Sequence, residues 1–387
     1  MTSWWCRAPW ACAGIITGIY LWAGWRALGV TSQAPAGFAV GQTEYGTAPP
    51  VFKEEFIARD SGRMEHVASL CELSDRRLVA VWYSGSREGS SDVALLLAVK
   101  PADKDAAWSN PYAVVTPDSV ARELRRPVAK VGNAVVFLDA GDRLVLVFVS
   151  LPYGGWALSS LNAKVSSDGG ASWSPAQRLT TSPLFNLGTL VKNKPLPLMR
   201  GGLLVPVSHE FLGRFPALLL LATSDETVEI AGMRRLCGGR RFFQPALVAL
   251  DRSTGVALLR AARTGEKIGL ASSRDGGAIW SEPKSTRLDN PDAGIDAVAL
   301  SGRRVLLAFN NQRFDRSNLA IAVSADAGAS WATVATLEDE RGAEFSYPFM
   351  VRGRDGSIHL VYTWKRRNIK HLTFNEAWIE ARLRRPL

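Results

Sequence analysis

An eight-residue phrase, Ser-x-Asp-x-Gly-x-x-Trp, occurs three times without a substitution, at 166–173, 273–280 and 324–331. Each copy follows a short apolar run and leads into another. Asp and Ser in such a phrase bond their own backbone, Gly supplies a positive φ, and Trp folds under the bend, so each copy reads as a hairpin turn. One such turn constrains little, whereas three identical copies require a repeat architecture built from small sheets. Two further stretches keep the phase. Residues 101–108 retain Asp103 and Trp108 but lose the Ser and Gly, and Ser224-Asp225 stands where another turn is due, without its Trp. The five aspartates at 103, 168, 225, 275 and 326 are 65, 57, 50 and 51 residues apart, the length of a four-stranded propeller blade with its loops. A last group of strands, 349–352, 358–364 and 369–374, supplies one more sheet. The expected fold is therefore all-β, a six-bladed propeller. A β-helix has rungs too short for this spacing, and no stretch beyond the N-terminus shows strong helical periodicity.

Composition narrows the partners. Apolar residues make up 47% and charged residues 21% of 387, which describes a globular chain with a large core. The net charge of +10 suits an anionic partner. The basic residues are scattered, with no basic tail and no nucleic-acid motif, so acidic glycans are favoured over DNA or RNA. Arg7 precedes an uncharged, mostly apolar run, Ala8 to Trp25, and Arg26 follows it. Residues 1–36 accordingly read as a signal peptide or membrane anchor, 37–50 as a linker and 51–387 as the propeller. The expected location is exported: periplasmic, anchored in the inner membrane, or secreted. Beyond the leader only Cys71 and Cys237 remain, either paired or as two buried thiols. The four histidines are dispersed, and no cysteine pair has zinc-ligand spacing, so neither a metal nor a cofactor is expected.

The repeated phrase is the Asp-box, and from about residue 50 the chain resembles the sialidase-like superfamily of six-bladed propellers. The resemblance implies a fold more firmly than an activity, because the Asp-box lies on the outer edge of a blade, remote from the site. Sialidases hold their substrate's carboxylate with three arginines. A Tyr–Glu pair serves as nucleophile and base, and an Asp as acid/base. Tyrosine replaces the usual carboxylate nucleophile, which the substrate's own carboxylate would repel.

The resemblance carries over residue by residue. His66 stands where the family has its first arginine. Arg87-Glu88-Gly89-Ser90-Ser91-Asp92 resembles the loop with a substrate-facing arginine and the acid/base Asp92. Gln244, before Pro245 and an apolar strand, replaces the glutamate that polarises the tyrosine. A second arginine of the triad is Arg260 or Arg263, and the third Arg313 or Arg316. Tyr347, in Glu344-Phe345-Ser346-Tyr347-Pro348, stands at the nucleophile's place, with Glu344 near enough in sequence to replace the missing base. Asp296 closes a loop of three acceptors with Asn290 and Asp292, and Asn193-Lys194 offers further ligand contacts. Lys365 and His371 are candidates in the last blade. The chain is most similar to a bacterial subgroup sharing Lys192-Asn193-Lys194-Pro195 and the motif around Tyr347.

These readings imply an exported sialidase-like glycoside hydrolase acting on a terminal acidic sugar. Asp92, Tyr347 and Glu344 are its catalytic candidates. Arg87, Arg260, Arg263, Arg313 and Arg316 hold the anion, with His66, Gln244 and Asp296 beside them. The two departures, His66 and Gln244, also admit a glycosidase or lyase for uronic-acid polysaccharide, or a propeller that binds glycans without catalysis. A neutral amide cannot take a phenol's proton, and an imidazole holds a carboxylate only when protonated.

Overall fold

The computed structural model describes residues 37–40, 48–57, 61–103, 105–181, 186–211 and 213–384. The expected leader, residues 1–36, lies outside these. Strand β1 (Phe52–Phe56) comes first. Blade I follows with β2 (Met64–Glu72), β3 (Leu78–Gly85), β4 (Ala94–Lys100) and β5 (Tyr112–Val115). Blade II has β6 (Lys130–Leu138), β7 (Leu144–Leu151), β8 (Ser160–Ser166) and β9 (Gln177–Arg178). Blade III has β10 (Thr189–Val191), β11 (Leu196–Pro197), β12 (Leu203–His209), β13 (Phe215–Thr223) and β14 (Val228–Arg235). Blade IV runs through β15 (Phe242–Ala249), β16 (Gly255–Ala261), β17 (Glu266–Ser273) and β18 (Lys284–Asn290). Blade V comprises β19 (Asp296–Ala299), β20 (Val305–Phe309), β21 (Asn318–Ser324) and β22 (Ala332–Asp339). Blade VI contributes β23 (Phe345–Arg352), β24 (Ile358–Trp364) and β25 (Asn368–Phe374), and β1 pairs antiparallel with β25 to complete it. The result is a six-bladed β-propeller.

The burial pattern explains why these sequences make blades. The second strands β3, β7, β16 and β20 are buried along their whole length, because each is covered by the neighbouring blades on both faces. Outer strands such as β14 alternate between covered and exposed positions. Apolar clusters fill the seams between blades, for example Tyr83, Leu95 and Leu97 against Val131, Leu146 and Phe148. Glu55 of β1 reinforces the closing seam, accepting from Lys100 of blade I at 3.1 Å and lying 3.1 Å from His371 Nδ1 of blade VI. His371 is thus part of the closure, and it is fully buried.

The three Asp-boxes fold alike. The first Ser hydroxyl donates to the Asp carboxylate at 2.8 Å in each, and the Trp indole donates to the carbonyl of the Gly at the fifth position at 3.0–3.1 Å. That fifth-position glycine has φ of 90–100° in every copy, whereas the position before it is Gly in two copies and Ala327, at φ 56°, in the third.

Gly37–Val40, expected to be linker, is pinned to the blade III–IV seam. Phe38 is fully buried, its N–H donates to Arg252 O at 2.9 Å, and Ala39 N–H donates to Pro197 O at 2.9 Å. Residues 41–47 lie outside the described part. Among the described residues two short α-helices accompany the blades: α1 (Pro117–Leu124), capped by Thr116, and α2 (Glu376–Leu383), capped by Asn375. Each is too short to show a periodicity, and each is marked instead by its cap. No helix among the described residues is long and apolar enough to cross a membrane. Cys71 and Cys237 are free, buried thiols, each pushed up to about 12 by burial.

Candidate functional site

Strand register decides which loops share a face. In blade I, Met64 pairs with Gly85 and Glu72 with Leu78, so the start of the inner strand lies beside the loop leaving the second strand. The same holds in the other blades, for example Phe242 with Ala261 and Phe345 with Trp364. The loops after β3, β7, β12, β16, β20 and β24 therefore open on one face. The Asp-boxes, after third strands whose ends pair with the starts of second strands, lie on the opposite face.

On the first face four inner strands break register at a bulge, each with a non-glycine residue at positive φ. These are Val67 (48°), Asn133 (21°), Gln244 (44°) and Tyr347 (53°). A bulge re-aims side chains at the end of a strand, and such conformations persist only where surrounding contacts over-determine them. Gln244 and Tyr347 each precede a proline, which makes the requirement stricter.

Tyr347 is the hub. Its ring meets the His66 ring edge-on, with centroids 4.9 Å apart, and the guanidinium groups of Arg316 and Arg260 stand 5.4 and 5.9 Å from its centroid. Its other flank rests against Gly294, where a Cβ would lie 3.0 Å from Tyr347 Cδ1. The Tyr347 hydroxyl makes no hydrogen bond to the described residues.

The two arginines are held by one loop. Arg260 is buried. Its Nε donates to Asp292 Oδ1 at 2.9 Å, Nη2 to Asp292 O at 2.5 Å and Nη1 to Gln244 Oε1 at 2.8 Å. Arg316 Nη2 donates to the same Asp292 carbonyl at 2.9 Å, and its Nη1 reaches Glu344 Oε1 at 3.3 Å. Glu344 also accepts from Ser346 at 2.6 Å and from Arg366 Nε at 2.6 Å, and Arg366 continues to Glu88 at 2.9 Å. A chain of charge-assisted bonds thus runs from Glu88 to Gln244 across blades I, VI, V and IV. Burial opposes the Glu344 charge, but the Arg366 and Ser346 bonds outweigh it and hold the carboxyl at about 2. Glu344 is thereby an anchor for arginines and a poor proton acceptor for Tyr347.

His66 is buried, and neither ring nitrogen has a hydrogen-bond partner among the described residues. Burial, together with the Arg366 and Arg316 charges, depresses it to about 3 despite the opposing Glu344. It is a neutral imidazole and cannot supply the positive charge of an arginine. Asp296 is wholly buried one layer below. Both its oxygens accept from Lys194 Nζ, at 2.9 and 2.8 Å, and one accepts from Met350 N–H at 2.6 Å.

Asp92 is exposed in the loop after β3. It accepts from Ser86 N–H at 3.0 Å, from the hydroxyls of Ser86 and Ser90, and from Arg63 at 3.0 Å. The Ser90 and Ser86 bonds come first in holding it at about 2. Arg87, Arg263 and Arg313 are exposed on loops of the same face, and no described side-chain contact joins them to the cluster. Arg263 and Arg313 are neighbours through the bond from Gly265 N–H to Arg313 O at 2.8 Å. Of each arginine pair in the sequence, the structure thus brings Arg260 and Arg316 to Tyr347. Lys365 caps the rim through Glu340 at 2.5 Å.

Sequence reasoning passed over the roles of Asp292, Arg366 and Lys192. Asp292 had a signal in its loop of acceptors, while the other two are positioned by blades distant in sequence. Among the described residues no cluster of three His, Cys, Asp or Glu side chains is arranged for a metal.

Comparison with known proteins agrees with this architecture. The model of the BNR repeat-like domain family matches residues 76–360. No curated protein matches in sequence. Among solved structures, a Dyadobacter fermentans protein of unknown function superimposes with a TM-score of 0.67 at 13% identity, covering 84% of this chain and 99% of that one. A Hadza microbial sialidase gives 0.65 at 16% identity, over 80% of this chain and 65% of its own. The intramolecular trans-sialidase of Ruminococcus gnavus gives 0.63 at 14%, over 81% and 95%. At these identities the solved structures speak for the fold, and the family match over most of the propeller settles membership: the chain belongs to the BNR repeat-like family of Asp-box propellers.

Proposed function

We propose that the protein is an exported glycosidase of sialidase type that acts on a terminal acidic sugar of a glycan. The observation that carries this reading is the convergence of Arg260 and Arg316 on the ring of Tyr347. Two guanidinium groups fix and neutralise one carboxylate, and they bring the sugar's anomeric carbon to the free phenol oxygen. Tyr347 keeps its proton, since neither Glu344 nor Gln244 can take it. Its oxygen stabilises the oxocarbenium character of that carbon until water adds there and gives its proton to the Asp92 carboxylate. Glu344, Asp292 and Gln244 hold the arginines in place, which spares the substrate that ordering cost. Arg87, Arg263 and Arg313 are outer contacts for the rest of an acidic glycan, in keeping with the net charge of +10.

Asp92 is the proton donor in this scheme. A general acid must carry its proton at working pH, so the role requires the loop at 86–92 to release Asp92 from its serine and arginine donors. The same observation favours a second reading, a propeller that binds acidic glycans without cleaving them. Turnover of a panel of sialosides and glucuronides by wild type, Tyr347→Phe and Asp92→Asn decides. Cleavage by wild type, lost in Tyr347→Phe, is the expected result. Binding with no product after long incubation selects the second reading, and equal activity in Tyr347→Phe removes Tyr347 from the chemistry.

A further inference from the structure

The Lys192-Asn193-Lys194 motif has no part in the scheme above, yet its first two residues are buried polar groups. It leaves the short inner strand β10 of blade III and crosses toward blades IV, V and VI. Lys192 is 4% exposed and Asn193 1%. Lys192 Nζ donates to Pro348 O at 2.6 Å, to Ile295 O at 2.8 Å and to Asn193 Oδ1 at 2.8 Å. Asn193 Nδ2 donates to Pro245 O at 3.0 Å. The two proline carbonyls are those directly after Tyr347 and Gln244, the residues at positive φ in blades VI and IV. One pair of adjacent side chains therefore grips both bulges from beneath, and the Lys192–Asn193 bond couples the two grips. The Lys192 stem and the Tyr347 ring both flank Gly294. At Gly294, the position a Cβ would take lies 3.3 Å from Lys192 Cε and 3.0 Å from Tyr347 Cδ1.

We propose that Lys192 and Asn193 are positioning residues that form a clamp, fixing Tyr347 through Pro348 and the Gln244–Arg260 pair through Pro245, and so setting the separation between the phenol oxygen and the anion-holding arginine. This rests on the glycosidase reading for its kinetic consequence, but the clamp itself is independent of any substrate. Two residues with left-handed backbone before proline need such outside support. Three acceptors around one Nζ match the three N–H donors of an ammonium, whereas a neutral amine offers only two.

The charged groups around Lys192 are Asp296 of blade V, Lys194 of its own segment and Arg260 of blade IV. Burial depresses Lys192 to about 7, with Asp296 opposing and Lys194 and Arg260 assisting. The folded value lies below the ordinary lysine value of 10.5, so the proton is lost near neutrality in the folded protein only. As pH rises through that value, one of the three acceptors loses its donor and the hold on Pro348 slackens.

Three measurements test the clamp. In protein labelled with 13C at lysine Cε and in the tyrosine rings, the Lys192 resonance, assigned through Lys192→Met, should titrate near neutral pH. The Tyr347 ring signals should shift with the same midpoint and become independent of pH in Lys192→Met. A Lys192 signal that titrates without moving Tyr347 overturns the proposal, and this readout needs neither substrate nor turnover. With a cleaved aryl sialoside or glucuronide, Lys192→Met should lower kcat about tenfold with little change in KM, and should abolish the high-pH limb of the wild-type profile. Asn193→Ala should act on the Arg260 side and raise KM severalfold. Equal losses in kcat and KM for both variants, with an unchanged pH profile, would mark ordinary loss of packing and refute the clamp. If no glycoside is turned over, the glycosidase reading fails while the resonance experiment still decides the clamp.

Discussion

Replacing Glu344 with glutamine tests the charge chain at its centre. Glu344 holds Arg366, Arg316 and Ser346 at once. Burial works against its charge, and the Arg366 and Ser346 bonds prevail, taking it from an ordinary 4.5 to about 2. At about 1.4 kcal/mol for each pH unit, that difference corresponds to roughly 3 kcal/mol of stability. The side chain keeps 24% exposure, and solvent screening of such a pair brings the expectation to about 2 kcal/mol. The sign follows from the direction. The folded carboxyl binds its proton less readily than the unfolded one, so the stabilisation is complete above 4.5 and is lost as pH falls toward 2. Urea unfolding of wild type and Glu344→Gln should show a gap of about 2 kcal/mol near neutral pH. That gap should narrow steadily below 4.5, the ordinary glutamate value. A gap that stays constant into acid, or no gap at neutral pH, would refute the reasoning, because either would mean that the ionised carboxylate is not what the arginines rely on.

Two further substitutions probe the same neighbourhood. In Gly294→Ala the new methyl would meet Tyr347 Cδ1 at 3.0 Å, so the ring must retreat by a few tenths of an ångström. Turnover should fall about tenfold with a thermal midpoint little changed, and unaltered turnover would show that the ring position is not critical. Asp296→Asn leaves the partly exposed Lys194 ammonium with a neutral amide and the Ala297 carbonyl it already bonds at 2.8 Å, and should cost about 2 kcal/mol in unfolding free energy. A loss below about 1 kcal/mol would mean that Lys194 finds another acceptor or solvent.

The architecture was legible because its signal is local and repeated. Asp, Gly and Trp at fixed offsets describe a turn that needs nothing beyond itself, so three copies and two worn ones sufficed for six blades. The closing strand β1 escaped notice because its sequence, Phe-Lys-Glu-Glu-Phe, alternates poorly and gains its partners from the other end of the chain. The site was legible in part for the same reason. His66, Gln244 and Tyr347 sit at strand starts that sequence can locate. Choosing Arg260 over Arg263 requires knowing that one lies within β16 and the other in the loop beyond, a boundary three residues wide. Lys192 stood in a recognisable motif, but its role and that of Arg366 were not legible there, since each acts on residues carried by other blades.

The bulges at the mouth of the propeller separate two jobs that a regular strand would join. Below the bulge, ladder bonds and seam packing fix the blade. At the bulge, a side chain is presented from a backbone posture held by contacts beneath it. The residue shown there can therefore change its chemistry while the blade under it stays as it was. Val67, Asn133, Gln244 and Tyr347 occupy four such sockets around one opening. A ring of this kind can lose a carboxylate at one socket, keep a phenol at another, and present a new combination of groups without refolding. In such a scaffold the range of ligands is written in a few presentation points, and relatives sharing little sequence can differ in function while remaining the same propeller.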